Sequence, residues 1–145
     1  MSRISRDQLH CEILTSVAKR GTCKRLQVGA ILIKDKRVIN HGYNGPVSGD
    51  VECSETSCDL SKGCTRAIHA EQNILANCAK HGIPTEGATM WVSYNPCPTC
   101  ARLIVQSGIK EVVYLEEYRL NEGKEIMERA GIKVRKYERT SSTRN

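Results

Sequence analysis

Two short motifs, far apart in the chain, constrain the fold more than anything else in this sequence. His69-Ala70-Glu71 stands at the start of one run of helical periodicity, and Pro96-Cys97-Pro98-Thr99-Cys100 stands at the head of another. One imidazole and two thiolates make a three-ligand zinc set with a fourth position left open, whereas structural zinc sites close with four protein ligands. An open position holds water and brings its pKa down to roughly 7. Glu71 is close enough in sequence to move that water's proton without ligating the metal.

The spacing supports this set. Cys97 and Cys100 are i and i+3 on a helix and project to one side. Both fall in a first helical turn, where free N–H groups and the positive end of the dipole favour thiolate over thiol. His69 and Glu71 are i and i+2, which diverge in mid-helix, so they converge only if the motif sits at a helix entry. Either motif alone is weak, because C-x-x-C also marks redox pairs and zinc knuckles. It is the two together, in this order, that carry the catalytic-zinc reading. A non-catalytic zinc clip would need a fourth ligand and would leave Glu71 without a role.

Size and composition bound the rest. The chain of 145 residues fits a single domain over residues 1–137, followed by a polar tail over 138–145. Phe is absent and aromatics make up 4%, so the expected core rests on Ile, Val, Leu and Ala. The N-terminus has no apolar signal-peptide core and no stretch reaches membrane-spanning length, which predicts a cytoplasmic protein without a membrane partner. The 8 cysteines then point to metal rather than disulfides. A net charge of +6 and a pI near 9.0 suit anionic ligands, nucleotides or nucleic acid. Part of that excess lies late in the chain, at Lys133, Arg135, Lys136, Arg139 and Arg144.

In order, residues 5–20 read as a helix with Ser5 and Gln8 resembling a capping box. Residues 27–33 and 38–42 read as a strand hairpin across a polar turn. Tyr43-Asn44-Gly45-Pro46 breaks the second strand, and a long irregular loop runs to about residue 65. Residues 66–80 read as the helix of the first motif, 88–93 as a strand and 97–106 as the helix of the second. A strand over 111–115, a helix over 121–130 and a strand over 132–137 complete the pattern. Cys11, Cys78 and His41 are assigned packing or structural roles. After the hairpin, strands alternate with helices, which predicts a three-layer α/β/α sandwich around a mixed five-stranded sheet.

A loop of that length needs a function or a staple. It carries Cys53, Cys58 and Cys64 in the pattern C-x4-C-x5-C, and Cys23 lies just before the first strand. Four thiolates would form a closed, structural second zinc site. Free reduced thiols or a disulfide are the alternatives.

The two motifs resemble those of the cytidine-deaminase-like superfamily, whose H-x-E and P-C-x-x-C signature activates water against an amino-bearing ring carbon. Val28-Gly29-Ala30, Gly42-Tyr43-Asn44-Gly45, Ile68 to Asn73 and Ser107-Gly108-Ile109-Lys110 narrow the resemblance to deoxycytidylate deaminases of bacteria and phage. It covers about residues 5–137. It implies dCMP as substrate, dUMP and ammonia as products, supply of thymidylate synthesis, homohexamers, activation by dCTP with magnesium and inhibition by dTTP. Cys23 and Cys53 stand where members hold a second zinc, with Cys58 and Cys64 for its other ligands. Glu71 maps onto the proton shuttle. Asn44 resembles the asparagine that meets the nucleotide, and also suits a turn before Gly45. Asn73 would brace the site or only order its helix. Arg25 is a candidate for the 5′-phosphate, or a solvated surface residue. Tyr118 resembles a tyrosine beside the sugar, at strand ends where ligands collect, or is a rim aromatic. Tyr43, Asn44 and Asp50 are the effector-site candidates.

Two rivals remain. A tRNA adenosine deaminase would share the signature but would not carry the long cysteine-bearing loop. A zinc-stapled nucleic-acid-binding module would suit the charge, but it leaves Glu71 unexplained and lacks stacking aromatics, which argues against nucleic acid as partner.

Overall fold

The computed structural model describes residues 2–53 and 64–139. Seven strands and four helices occur among these residues: α1 (Arg6–Ala18), β1 (Gly29–Lys34), β2 (Arg37–Tyr43), β3 (Gly45–Pro46), β4 (Ala67–Ile68), α2 (Ala70–His81), β5 (Thr89–Tyr94), α3 (Pro98–Gln106), β6 (Glu111–Glu116), α4 (Glu122–Arg129) and β7 (Lys133–Lys136). Five of the strands form one sheet in the order β2-β1-β5-β6-β7. β1 runs antiparallel to β2 and β5, while β5, β6 and β7 are parallel. The mixed five-stranded α/β/α expectation is met.

The local signals explain most elements. The Ser5 hydroxyl accepts from Gln8 N at 3.0 Å and starts α1. Asp35 and Lys36 take positive φ values of 51° and 67°, which makes the hairpin turn as tight as two residues allow. Gly82, at φ 66°, ends α2 in the left-handed conformation.

The sheet is buried on both faces, and the two-residue period of its strands divides the core. Ala30, Leu32, Met90, Val92, Val112 and Tyr114 face α2, α3 and α4, which supply Ala70, Ile74, Cys78, Ala101, Ile104 and Met127. Ile31, Ile33, Trp91, Val113 and Leu115 face α1, which supplies Cys11 and Leu14. Cys11 and Cys78 are packing residues, as expected.

Three expectations need correction. The core does not rest on aliphatic residues alone, because its two largest fully buried side chains are Trp91 and Tyr114. One large aromatic is buried on each face of the sheet, in a chain that lacks Phe. Helix α2 begins at Ala70 and not at residue 66, since Ala67–Ile68 is extended and pairs with Gly45–Pro46. That small ladder closes the base of the long loop, whose residues 54–63, including Cys58, lie outside the described ones. Cys97 caps α3 in extended conformation (φ −67°, ψ 165°), with Pro98 as the first helical residue. The terminal residues 140–145 also lie outside the described set.

Helix α4 touches the second motif directly. A Cβ added at Gly123 would stand 2.0 Å from the Pro96 carbonyl oxygen and 3.1 Å from the Cys97 carbonyl carbon. In an ordinary helix Gly→Ala stabilises by about 0.5–1 kcal/mol. Gly123→Ala should instead destabilise by about 1–3 kcal/mol, as overpacking does. The melting temperature should fall and zinc content should fall with it, because the displaced segment carries Cys97.

Candidate metal centre

His69 is the N-cap of α2, extended at φ −71° and ψ 153°. Its backbone N–H is held by Gln72 Oε1 at 2.9 Å, and its carbonyl accepts from Asn73 N at 2.8 Å. Cys97 holds the same station on α3, with its carbonyl accepting from Ala101 N at 2.8 Å. Two helix heads thus face each other, and each puts its cap side chain into the space between.

The ligand atoms of His69, Cys97 and Cys100 all lie within 4.8 Å of one another. His69 Nδ1 is 3.2 Å from Cys100 Sγ and 3.6 Å from Cys97 Sγ. Around a tetrahedral zinc with its usual bond lengths, N and S ligands stand about 3.6 Å apart. Donor types and separations therefore both fit zinc, with His69 binding through Nδ1. Among the described residues this is the only such group of three or more.

The electrostatics separate the two thiols. The hydrogen bond from Cys100, and then that of His69, hold Cys97 down at about 4 despite its burial. The same bond to Cys97, together with burial, pushes Cys100 far up. The bond to Cys97 raises His69 against its burial. Glu71, in the first turn of α2, is 5% exposed. Burial pushes its carboxyl up, and Cys100 is its hydrogen-bonding neighbour.

These groups line a cavity of about 180 Å³ with Val28, Asn44, Tyr94, Asn95, Tyr118 and the thiols Cys23 and Cys64. Asn44 is firmly engaged: its Nδ2 donates to Leu26 O at 2.8 Å and its Oδ1 accepts from Val28 N at 2.9 Å. Arg25 is exposed on the adjoining 19–27 loop, and its charge reaches Cys64. Asn73 does not line this cavity. It donates to the Tyr43 carbonyl at 3.0 Å and lines a neighbouring cavity of about 450 Å³ with Tyr43, Asp50, Arg20 and His41. Asp50 pairs with Arg66 at 3.3 Å.

Asn95 did not stand out in the sequence. It is 1% exposed, and neither atom of its carboxamide finds a hydrogen-bond partner among the described residues. A polar residue directly before Pro-Cys, at a strand's carboxyl end, was the available signal.

The cytidine and deoxycytidylate deaminase zinc-binding region matches residues 4–116. ComE operon protein 2 of Bacillus subtilis is 42% identical over 140 residues, covering 95% of this chain and 74% of its own. The deoxycytidylate deaminase of Mycobacterium phage D29 is 40% identical over 129 residues, covering 81% of this chain and 99% of its own. The crystal structure of the dCMP deaminase from cyanophage S-TIM5, in complex with dCMP and dUMP, superposes with a TM-score of 0.85 at 30% identity. It covers 94% of this chain and all of that one. No helix among the described residues is long and apolar enough to cross a membrane.

The split between the thiols is open to a direct check. In chelated protein at pH 6, Cys97 lies above its pKa and Cys100 far below its own. Iodoacetamide should therefore alkylate Cys97 well before Cys100, read by peptide mass mapping. Zinc should protect both.

Proposed function

The chain belongs to the cytidine and deoxycytidylate deaminase family, and on that premise we propose that it hydrolyses dCMP to dUMP and ammonia. The observation that carries this reading is the meeting of His69, Cys97 and Cys100 beside a buried Glu71. When bound, zinc supplies a water acidic enough to attack at neutral pH. Glu71 takes the water's proton, delivers it to the pyrimidine ring nitrogen and then helps protonate the departing amine. Its burial suits this, since it raises the carboxyl above its ordinary value and so makes it a better proton acceptor. The phage relative and the cyanophage enzyme with dCMP and dUMP favour this nucleotide over a tRNA adenosine.

Asn44 holds the 26–28 segment in place and keeps one amide hydrogen for the nucleotide. Tyr118 borders the sugar end, with Arg119 Cζ 5.9 Å from its ring centroid. Arg25 serves the 5′-phosphate from beside Cys64. Asn73 braces the site from behind through Tyr43. The enzyme works in the cytoplasm on a freely diffusing nucleotide and supplies thymidylate synthesis.

A second, structural zinc is held by Cys23, Cys53, Cys58 and Cys64. In its support, backbone N–H groups of Ala67 and Arg66 lower the Cys64 thiol towards thiolate, and Cys53 is buried. Magnesium-bound dCTP as activator and dTTP as inhibitor occupy the larger cavity. Tyr43 and Asp50 line it together, while Asn44 lines the smaller cavity with His69 and Cys97. The assembly is a homohexamer.

A deamination assay with dCMP, dCTP, CMP and deoxycytidine, each with and without dTTP, should find dCMP fastest and dTTP inhibitory. Glu71→Ala should abolish turnover while zinc stays bound, and activity surviving it would unseat the proton shuttle. Elemental analysis should count two zinc ions per chain, falling to about one in Cys58→Ser. A count of one in the unmodified protein would remove the structural zinc and leave the catalytic one.

A further inference from the structure

Asn95 sits between the end of β5 and Pro96, two residues before the ligand Cys97. Its backbone N–H donates to the Glu116 carbonyl at 3.0 Å, which pins this turn to the end of β6. Its side chain lines the metal cavity, 1% exposed, with both Oδ1 and Nδ2 unpaired among the described residues. Leaving a buried carboxamide unpaired is costly, and folded proteins seldom tolerate it without a reason.

Other polar side chains at and beside this cavity are paired. Ser93 Oγ, in β5, accepts from Gly29 N at 2.9 Å and donates to Gly29 O at 3.2 Å. Asn44, which lines the same cavity, uses both of its amide atoms. Among the described residues that line this cavity, Asn95 alone has buried side-chain atoms left unpaired, and it shares the lining with His69 and Cys97. The exposed residues Leu26 and Cys64 mark the mouth.

The chemistry of the side chain narrows what it meets. A carboxamide offers one donor and one acceptor side by side, without charge. Its oxygen would repel a phosphate, and an apolar group would leave both atoms unpaired. An uncharged heterocycle with polar groups on its edge satisfies it. On the reading that the substrate is dCMP, on which this inference rests, we propose that Asn95 recognises the exocyclic edge of the pyrimidine. Oδ1 accepts from the amino group of the substrate. With the amide turned over, Nδ2 donates to the carbonyl that replaces that amino group in the product. Asn95 is then a base-recognising residue, distinct from the proton shuttle at Glu71.

Calorimetric titration of the zinc-loaded protein with dUMP and with 2-deoxyribose 5-phosphate tests this. Asn95→Ala should weaken dUMP roughly tenfold or more and change the base-free sugar phosphate less than about twofold. Zinc content and melting temperature should hold. Asn95→Asp keeps the shape and loses the donor. It should weaken dUMP comparably, and it carries the test if the alanine variant fails to fold. Unchanged dUMP affinity would overturn the proposal. Equal weakening of both ligands would overturn it too, since that marks a structural role. If the unmodified protein neither binds dUMP nor deaminates dCMP, it is the substrate reading that falls, and this inference with it.

Discussion

Three donor atoms from two separate helix heads must stand within 4.8 Å of one another, and most of the architecture serves that requirement. A helix head is a good place for a thiolate, because its free N–H groups and dipole favour negative charge. It is a demanding place to aim from, since a small rotation of the helix moves the cap side chain a long way. The docking is correspondingly tight. A Cβ at Gly42 of β2 would meet the Ala70 carbonyl oxygen and Ile74 N of α2, both at 3.2 Å. Gly123 gives the Pro96-Cys97 turn the same close support from α4. Bare backbone sets the position of each ligand-bearing segment, so little rotation is left to it.

The same geometry places opposing forces on Glu71. The first turn of α2 favours a carboxylate, while burial of the side chain favours the neutral acid. His69 pulls it towards the charged form, and a thiolate at Cys97 pushes the other way. Burial is the largest influence in that balance and raises the carboxyl above its ordinary value, the direction that suits the proposed proton shuttle. That balance arises from the fold, because the i, i+2 spacing brings His69 and Glu71 to one cavity only when His69 is the extended cap residue.

That spacing was legible in the chain, and so were the five long strands and four helices, to within a few residues at each end. The signals there are strong: short apolar runs in the central strands, a capping serine at position 5 and glycines past the helix ends. What escaped was encoded in contacts distant in sequence. The Gly45–Pro46 and Ala67–Ile68 ladder is two residues per strand, too short for any periodicity to register. Trp91 and Tyr114 lie in neighbouring strands, and only packing reveals that they belong to opposite cores. Gly123 resembles a helix flaw until Pro96 is seen against it. Asn95 resembles a turn residue until its two amide atoms are found buried and unpaired.

The arrangement of Tyr43 and Asn44 carries a further consequence. These neighbours stand at the end of β2 and face different cavities: Asn44 lines the metal cavity and Tyr43 the larger one. Ile68 lines both. The wall between the cavities is therefore thin, made of one strand end, one two-residue ladder and the first turn of α2. Asn73 ties that turn to the Tyr43 carbonyl, four residues beyond the metal ligand His69. A ligand that shifted the strand end by a few tenths of an ångström would press on α2 close to its cap. A metal ligand aimed from a helix head is sensitive to such a shift, whereas one in the middle of a packed helix would resist it.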